Sequence, residues 1–380
     1  MRIVMVRSLK GYPDSRVEKE LYSLSKKNKI IFFGWNRHDN KKKISHEVVK
    51  VFGKPINYYH FNKYAPIGLG FKKLFFPLLK YWHAEYRFLK NNRENYDAIH
   101  ACDFDTILPA LKIAKKYNKK LVYDIFDYYS EAHNGPKIIK KIIKKLEDNA
   151  ISKADVTIIC SDARKMQIKD SKPNRLYVIH NTPMDMKDLK ISRKLIVDST
   201  KIQMVYIGLL SEDRYLREMA KVIQKRNDIV WHVGGWGPLE SYFSDLANIN
   251  SNIIFYGEVG YETALEIEKQ CDIMTALYDP AVPNHKYSAP NKFYESLMLG
   301  KPLIMIKGTG MDEYVTKFNI GEVIDLKSTD FLNGFENAIN NIIDKGNISE
   351  ISYRARDIYE EMFSWSKMED RLLDVYESIN

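Results

Sequence analysis

The sequence is poor in cysteine: Cys102, Cys160 and Cys271 are the only three in 380 residues, each in an apolar segment and none at a paired spacing. That pattern excludes a disulfide framework and a cysteine-based zinc cluster, and leaves buried thiols. No apolar run reaches the roughly 18 residues that a membrane-spanning helix needs. The N-terminal MRIVMVRSLKGY has too short an apolar segment for a signal peptide and reads as a first strand, so the protein is expected in the cytoplasm. Glycine is missing where a nicotinamide enzyme would need it. Gly11 stands alone in the loop after the first strand, and without the G-x-G-x-x-G fingerprint such an enzyme is disfavoured. RRM, KH, zinc-finger and helix-turn-helix patterns are all missing too, so nucleic acid is not an expected partner.

What is present suits two domains, because 380 residues are long for one core. Charge divides them. Residues 1–185 carry 37 Lys+Arg against 19 Asp+Glu, a net +18, whereas residues 186–380 carry 22 against 30, a net −8, within a total of +10. A basic first half is expected to face an anionic surface or polymer. Two of its stretches sharpen that expectation. FKKLFFPLLKYW, Phe71 to Trp82, interleaves lysines with bulky apolar groups after the Lys41-Lys42-Lys43 run; KIIKKIIKKL, 137–146, sets Ile138, Ile139, Ile142, Ile143 and Leu146 on one helical stripe with lysines opposite. Either suits an anionic lipid surface, and either also suits a helix packed on its own core.

In chain order, Arg2 to Val6, a helix from about Val17 and Ile30 to Gly34 form a β-α-β start. A second such unit runs from Asp97–His100 through a helix, Thr106 to Lys116, to a strand, Leu121 to Ile125. His100, Asp103, Asp105, Asp124, Asp127 and Glu131 fall in or near strand ends, and a concentration of ionisable groups on one rim is what a site looks like. Asp103 or Asp105 can equally cap the helix from Thr106. After a polar, linker-like stretch to about Ser199, a second sheet begins with Gln203 to Ile207. Gly208 is read as ending that strand, and Arg214 in the following loop offers a planar fork for phosphate or is simply a solvated helix-start arginine. Strands at Ile229–Val233, Ile253–Tyr256 and Asp272–Leu277 follow, the first running into Gly234-Gly235-Trp236-Gly237, where a ligand or a helix can approach closely.

The stretch KYSAPNKFYESLMLGKP, Lys286 to Pro302, organises the second half. Pro290 suits a first helical position, Ser288 can cap the free amides, and Gly300 stops the helix before a strand from Leu303 to Ile306. Lys292 and Glu295, three apart, share a helical face near an N-terminus that attracts anions, while a carboxylate there can accept both hydrogen bonds of a vicinal diol. Phosphate plus ribose fits; so does a capped surface helix with a solvated ion pair.

Ser288, Pro290, Lys292, Glu295, Gly300, Lys301 and Pro302 together resemble the donor-site signature of glycosyltransferases of GT-B fold and family 4 type (glycosyl transferases group 1), and His100 to Glu131 resembles the matching stretch of the same family. The resemblance implies an α/β, GT-B architecture of two Rossmann-like domains facing an inter-domain cleft: an acceptor domain, 1–185, and a nucleotide-sugar domain, 200–362, with a C-terminal helix, 363–380, packing back on the first. It implies hexosyl transfer from a nucleotide-sugar, UDP-sugar favoured over GDP-sugar, to a hydroxyl of a lipid-linked glycan, in cell-surface polysaccharide or glycoconjugate synthesis on the inner face of the membrane. Transfer is expected to be retaining and to need neither cofactor nor metal. On the donor side, Glu295 corresponds to the glutamate that grips the ribose. Lys292, Arg214 and Gly208 stand near the diphosphate, Tyr287, Ser288 and Asn291 beside it, and Gly237, Gly257 and Val259 along the base-binding wall. Tyr287 takes the place of a second glutamate, and Leu209 that of an arginine. On the acceptor side are Gly11, Arg16 and Asp103. Phe126 replaces a common histidine, which makes Asp127 the candidate catalytic carboxylate, with Asp124 and His100 next. A nucleotide-sugar 2-epimerase and a non-catalytic partner subunit are the alternatives.

Overall fold

Strand and helix alternate from the first residue, as the β-α-β reading requires. The structure, a computed structural model, describes the chain except residues 41–43, 66–69, 133–135, 187–188, 193, 196–197, 199 and 345–347. The Lys41-Lys42-Lys43 run and Ser199 therefore lie outside the described residues. The chain divides into two units, Met1–His180 with Met368–Asn380, and Asn181–Lys367.

In the first unit the elements are β1 Arg2–Arg7, α1 Ser15–Leu24, β2 Lys29–Asn36, β3 Ile44–Val51, β4 Lys54–Asn62, α2 Gly70–Asn91, β5 Ala98–Cys102, α3 Phe104–Tyr117, β6 Lys120–Ile125, α4 Tyr129–Ala132, α5 Lys137–Lys153, β7 Val156–Ile159, α6 Arg164–Gln167 and β8 Leu176–Val178. They build a sheet of order β3-β4-β2-β1-β5-β6-β7-β8, parallel except for β3 against β4. Ile3, Val4, Met5 and Val6 are all buried, the unbroken apolar run of a strand covered on both faces. Asp14 caps α1 by accepting from the Val17 amide at 3.3 Å.

The β3–β4 hairpin has no counterpart in the sequence reading, which took residues 41–82 as basic and amphipathic. Its two-residue turn, Phe52-Gly53, has φ of 46° and 83°, the doubly left-handed form that matches strand twist. Helices α2, α3 and α5 share one core on the sheet, with Leu78, Tyr81 and Phe88, Ile107 and Ile113, and Ile143 and Ile151 buried in it. Helix α5 does not bury its whole isoleucine stripe. Ile143 is buried and Ile139 packs on the core, but Ile138, Ile142 and Leu146 are 74, 55 and 39% exposed.

The second unit contains β9 Ile202–Leu209, α7 Leu216–Ile223, β10 Ile229–Trp236, α8 Glu240–Ile249, β11 Ile253–Phe255, α9 Tyr261–Gln270, β12 Ile273–Ala276, α10 Asn291–Leu299, β13 Leu303–Ile306, α11 Asp312–Phe318, β14 Gly321–Ile324, α12 Phe331–Asp344 and α13 Ile348–Ile358. Its sheet, β11-β10-β9-β12-β13-β14, is parallel throughout. Both units are thus Rossmann-like, helices alternating with parallel strands. Strand β9 runs one residue past Gly208, which does not end it. The last helix, α14 Trp365–Glu377, brings Glu369 to Lys26 at 2.6 Å and Glu377 to Lys27 at 2.9 Å within the first unit. Among the described residues no helix is long and apolar enough to cross a membrane.

Candidate functional site

Parallel strands put all their carboxyl ends on one edge, so the loops after β9, β10, β11, β12 and β13 gather there. Helix α10 starts on that edge. Pro290 occupies the cap position rather than the first helical one, with ψ of 137° and no side-chain cap. Ser288 does not cap either, because its hydroxyl donates to the Thr309 carbonyl at 3.1 Å. Thr309-Gly310 lies so close that a Cβ on Gly310, whose φ is +90°, would sit 2.1 Å from the Ser288 oxygen. The first amides of α10 are left without a side-chain acceptor, the condition in which a helix start attracts an anion. At the other end Gly300, at φ +61°, closes the helix as expected, and Lys301 N donates back to Ser296 O at 2.8 Å.

Lys292 is not the solvated half of a surface pair. Its ammonium is bonded to Glu295 at 2.8 Å and to Glu268 of α9 at 2.7 Å, and the Glu268 and Glu295 side chains are 0 and 3% exposed. Burial alone would lower the Lys292 pKa, but the two carboxylates overcome it and hold the lysine charged. Glu268, wholly buried, is pushed up to about 7 by desolvation, with Lys292 only partly opposing. Tyr261 also hydrogen-bonds Glu295, and its phenol is raised by burial and by both carboxylates.

Arg214 completes the group. Its guanidinium lies 3.9 Å from the Tyr278 ring centroid, with Nη1 at 3.0 Å from both Asp213 Oδ2 and His285 Nε2. The Tyr278 phenol is raised by desolvation, with Arg214 and Lys292 opposing and Glu295 adding to the shift. Glycines shape the wall: a Cβ on Gly237, φ +142°, would meet the Leu210 carbonyl at 2.6 Å. Gly257 O accepts from Gly235 N at 2.7 Å, and Val259 packs on the core. The atom nearest the Cβ position of Gly208 is the Tyr206 hydroxyl, at 3.4 Å. Tyr287 is half-buried beneath Lys286, and Asn291 is exposed, accepting from Asn181 at 3.3 Å.

In the first unit the same edge holds the acceptor-side candidates. Asp103, φ +63°, does not cap α3, which starts at Phe104 rather than Thr106. Its carboxylate is bonded to Arg7 and accepts from the Phe126 and Asp127 amides at 2.8 and 3.3 Å. Phe126 carries two guanidinium groups over its ring, Arg7 at 4.1 Å and Arg16 at 4.0 Å. Gly11, φ +80°, lets the Phe32 ring pack where a side chain would be, 2.3 Å from its Cβ position. Asp127 is open to solvent, its side chain 55% exposed and held by Arg164 Nη2 at 2.7 Å.

Asp124 and His100 are both wholly buried. Asp124 accepts from Arg16 Nη2 at 2.6 Å and lies 3.3 Å from His100 Nε2, whose Nδ1 is 2.7 Å from the Tyr376 hydroxyl. Arg16 also donates to Glu20 at 2.9 Å. Burial pushes Glu20 up to about 7 and Asp124 to about 6, and pushes His100 down to about 4. Glu20, His100 and Asp124 bring ligating atoms within 4.8 Å of one another, the spacing of a metal site. Arg16 bonds both carboxylates there and already supplies the positive charge.

The sequence reading missed Glu268, Tyr278, His285 and Arg7. Glu268 had a signal, since it lies three and four residues after Leu265 and Ala264 on the apolar stripe of α9, where a carboxylate requires a buried cation.

Residues 187–355 match the family described as glycosyl transferases group 1. No curated protein matches the chain by sequence. Among solved structures, sucrose-phosphate synthase from Thermosynechococcus elongatus is similar at 14% identity and a TM-score of 0.75, over 100% of this chain and 99% of that one. Anabaena HepE in complex with UDP is similar at 15% identity and a TM-score of 0.70, over 100% of both chains. A trehalose-6-phosphate protein from E. coli bound with UDP-2-fluoro glucose follows at 10% and 0.67, over 99 and 96%. The chain thus carries a glycosyl transferases group 1 domain within a GT-B fold, and it is a glycosyltransferase.

Proposed function

We infer that the enzyme transfers a sugar from a UDP-sugar, in preference to a GDP-sugar, to a hydroxyl of a lipid-linked glycan in the synthesis of a cell-surface polysaccharide or glycoconjugate. The observation that carries the donor half is the Glu268–Lys292–Glu295 group on the strand-end edge of the matched domain, with Arg214 stacked on Tyr278 in the loops of that domain. Glu295 takes the ribose diol through charge-assisted hydrogen bonds. The diphosphate is met by Arg214 and the open start of α10, donors fixed before the reaction and therefore free of reorganisation cost. Lys292 is engaged by two carboxylates, so its part is to hold Glu295 and offset its charge rather than to reach a phosphate alone. Uridine is favoured because HepE has been crystallised with UDP and with UDP-glucose.

In the transfer the acceptor oxygen bonds to the anomeric carbon as the bond to the UDP oxygen breaks, and the hydroxyl proton passes to Asp127. The outcome is retention, and no metal takes part. The exposed stripe of Ile138, Ile142 and Leu146 beside Lys141 and Lys145 supports docking on an anionic membrane face.

Calorimetry with UDP and GDP, followed by transfer assays on membrane-lipid extracts, tests this reading. UDP binds more tightly, and Asp127→Asn keeps UDP affinity while turnover falls by about a hundredfold or more. Absence of UDP binding would overturn the donor reading. Isomerisation of the UDP-sugar alone would identify an epimerase instead.

A further inference from the structure

Running down from the strand-end edge of the first unit, α2 and the β3–β4 hairpin enclose a trough of about 780 Å³ built of quite different materials. Its floor is apolar: Ile44, Phe61, Phe76, Leu79 and Phe88, of which Ile44, Phe76 and Leu79 remain 45, 71 and 39% exposed. Contiguous apolar surface of this kind is a place where something binds. The polar lining is of one sign. Lys63, Lys80, His83 and Arg87 border the trough, two asparagines stand at its far end, and among the described residues no aspartate or glutamate lines it.

These four basic groups make no ion pair among the described residues. Several cations elsewhere are matched, as Arg2 with Asp97, Arg16 with Asp124, Arg164 with Asp127 and Arg356 with Asp185 show. Lys80, His83 and Arg87 recur at i, i+3 and i+7, so one face of α2 presents them together with Phe76 and Leu79. Like charges along a low-dielectric floor repel one another until an anion joins them. A ligand that satisfies both surfaces has a hydrocarbon chain and an anionic head.

We propose that this trough is a binding site for one molecule of a lipid phosphate, the chain lying on the apolar floor and the phosphate met by the basic border. The topology makes such a site useful. Lys63 directly follows β4 and Ile44 opens its antiparallel partner, so both stand at the strand-end edge that carries Asp103 and Asp127. Helix α2 descends from that edge toward the start of β5, and the trough follows it down. The site names the carrier in the lipid-linked reading of the acceptor and rests on that reading for its biological ligand, though binding itself needs no UDP.

The test uses the full chain with farnesyl phosphate, farnesol, inorganic phosphate and vesicles of anionic phospholipid, and UDP titrated in parallel. One farnesyl phosphate binds per chain, at least about tenfold more tightly than farnesol, and inorganic phosphate does not bind at the same concentration. Leu79→Glu and Arg87→Glu, both away from the strand-end loops, each weaken farnesyl phosphate by about tenfold or more with UDP affinity and Tm unchanged. Equal binding of farnesol, or variants that bind like the parent, would overturn the proposal. So would association with anionic vesicles without any binding of farnesyl phosphate, which would make the surface a membrane contact. Lipid binding that persists while UDP fails to bind would sink the donor reading alone.

Discussion

Arg16 and Lys292 are each gripped by a pair of buried carboxylates, and they serve different ends. In the first unit Arg16 lies between Glu20 and Asp124, with side-chain exposures of 5, 1 and 0%. His100 and Tyr376 close the network from the far side. In the second unit Lys292 lies between Glu268 and Glu295, but 17% of its side chain is exposed, and the helix that carries it opens with uncapped amides. The charge arithmetic is the same. The difference is access: the arginine's fork is spent on two fixed partners, whereas the lysine group leaves a carboxylate at the edge of a helix start that still has hydrogen bonds to give. A buried ion network is therefore not by itself a site, and here exposure of one member, together with unsatisfied donors beside it, separates scaffold from binding surface.

Breaking the closed network has the largest effect. Arg16→Met leaves two carboxylates facing each other without a cation, and loss of one partner from such a buried group costs about 3–5 kcal/mol. Thermal unfolding of the variant is lowered by roughly 6–20 °C, at about 2–4 °C per kcal/mol for a unit of this size. The protein that remains folded binds UDP with parental affinity, because the network lies in the other unit. A Tm within about 2 °C of the parent would show that the site had collapsed harmlessly and that the contrast drawn above is false.

Breaking the open group should move binding instead. Glu295→Ala removes charge-assisted hydrogen bonds worth about 1.5–3 kcal/mol, so UDP affinity falls by about ten- to more than a hundredfold. Uridine weakens alongside UDP, since the lost contact is to the ribose. If uridine binding were unchanged while UDP weakened, Glu295 would be acting on the phosphates and its assignment would fail.

How much of this was legible beforehand depends on how local the cause is. Strand β13 lies at Leu303–Ile306 as its apolar run implies, and Gly300 ends α10 because a left-handed position is a property of one residue. The β3–β4 hairpin escaped because its turn is Phe52-Gly53. A left-handed phenylalanine, held with its ring 5.4 Å from that of Tyr22, is a tertiary effect no turn propensity reports. The lysine–glutamate spacing at 292 and 295 was visible, but its meaning was not, because the decisive partner is Glu268, on a different helix. In the same way the isoleucines of 138–146 read as one stripe, whereas packing divides them: Ile139 and Ile143 face the core and Ile138 and Ile142 do not. A period of 3.6 says which residues share a side, and only the neighbouring elements decide how wide the covered side is.

The finest test of the comparison concerns Glu268, which resembles the closed network in burial and the open one in place. Its carboxyl is pushed up to about 7 by desolvation, well above the ordinary carboxylate range it returns to on unfolding. The folded chain therefore holds a proton that the unfolded chain has released between those two values, and folding is weakened as pH rises through that window. Glu268→Gln removes the titration while keeping an amide oxygen that can accept from Lys292. The variant and the parent are expected to unfold at similar temperatures near pH 5, with the parent losing more stability than the variant between pH 5 and 8; every other titrating group is common to both. UDP affinity of the glutamine variant stays within about threefold, whereas Glu268→Leu, which frees Lys292 from its second anchor, loses about tenfold. Parallel pH profiles would show that Lys292 keeps Glu268 fully ionised in the folded state, and a leucine variant with parental UDP affinity would show that Glu295 needs no support from α9.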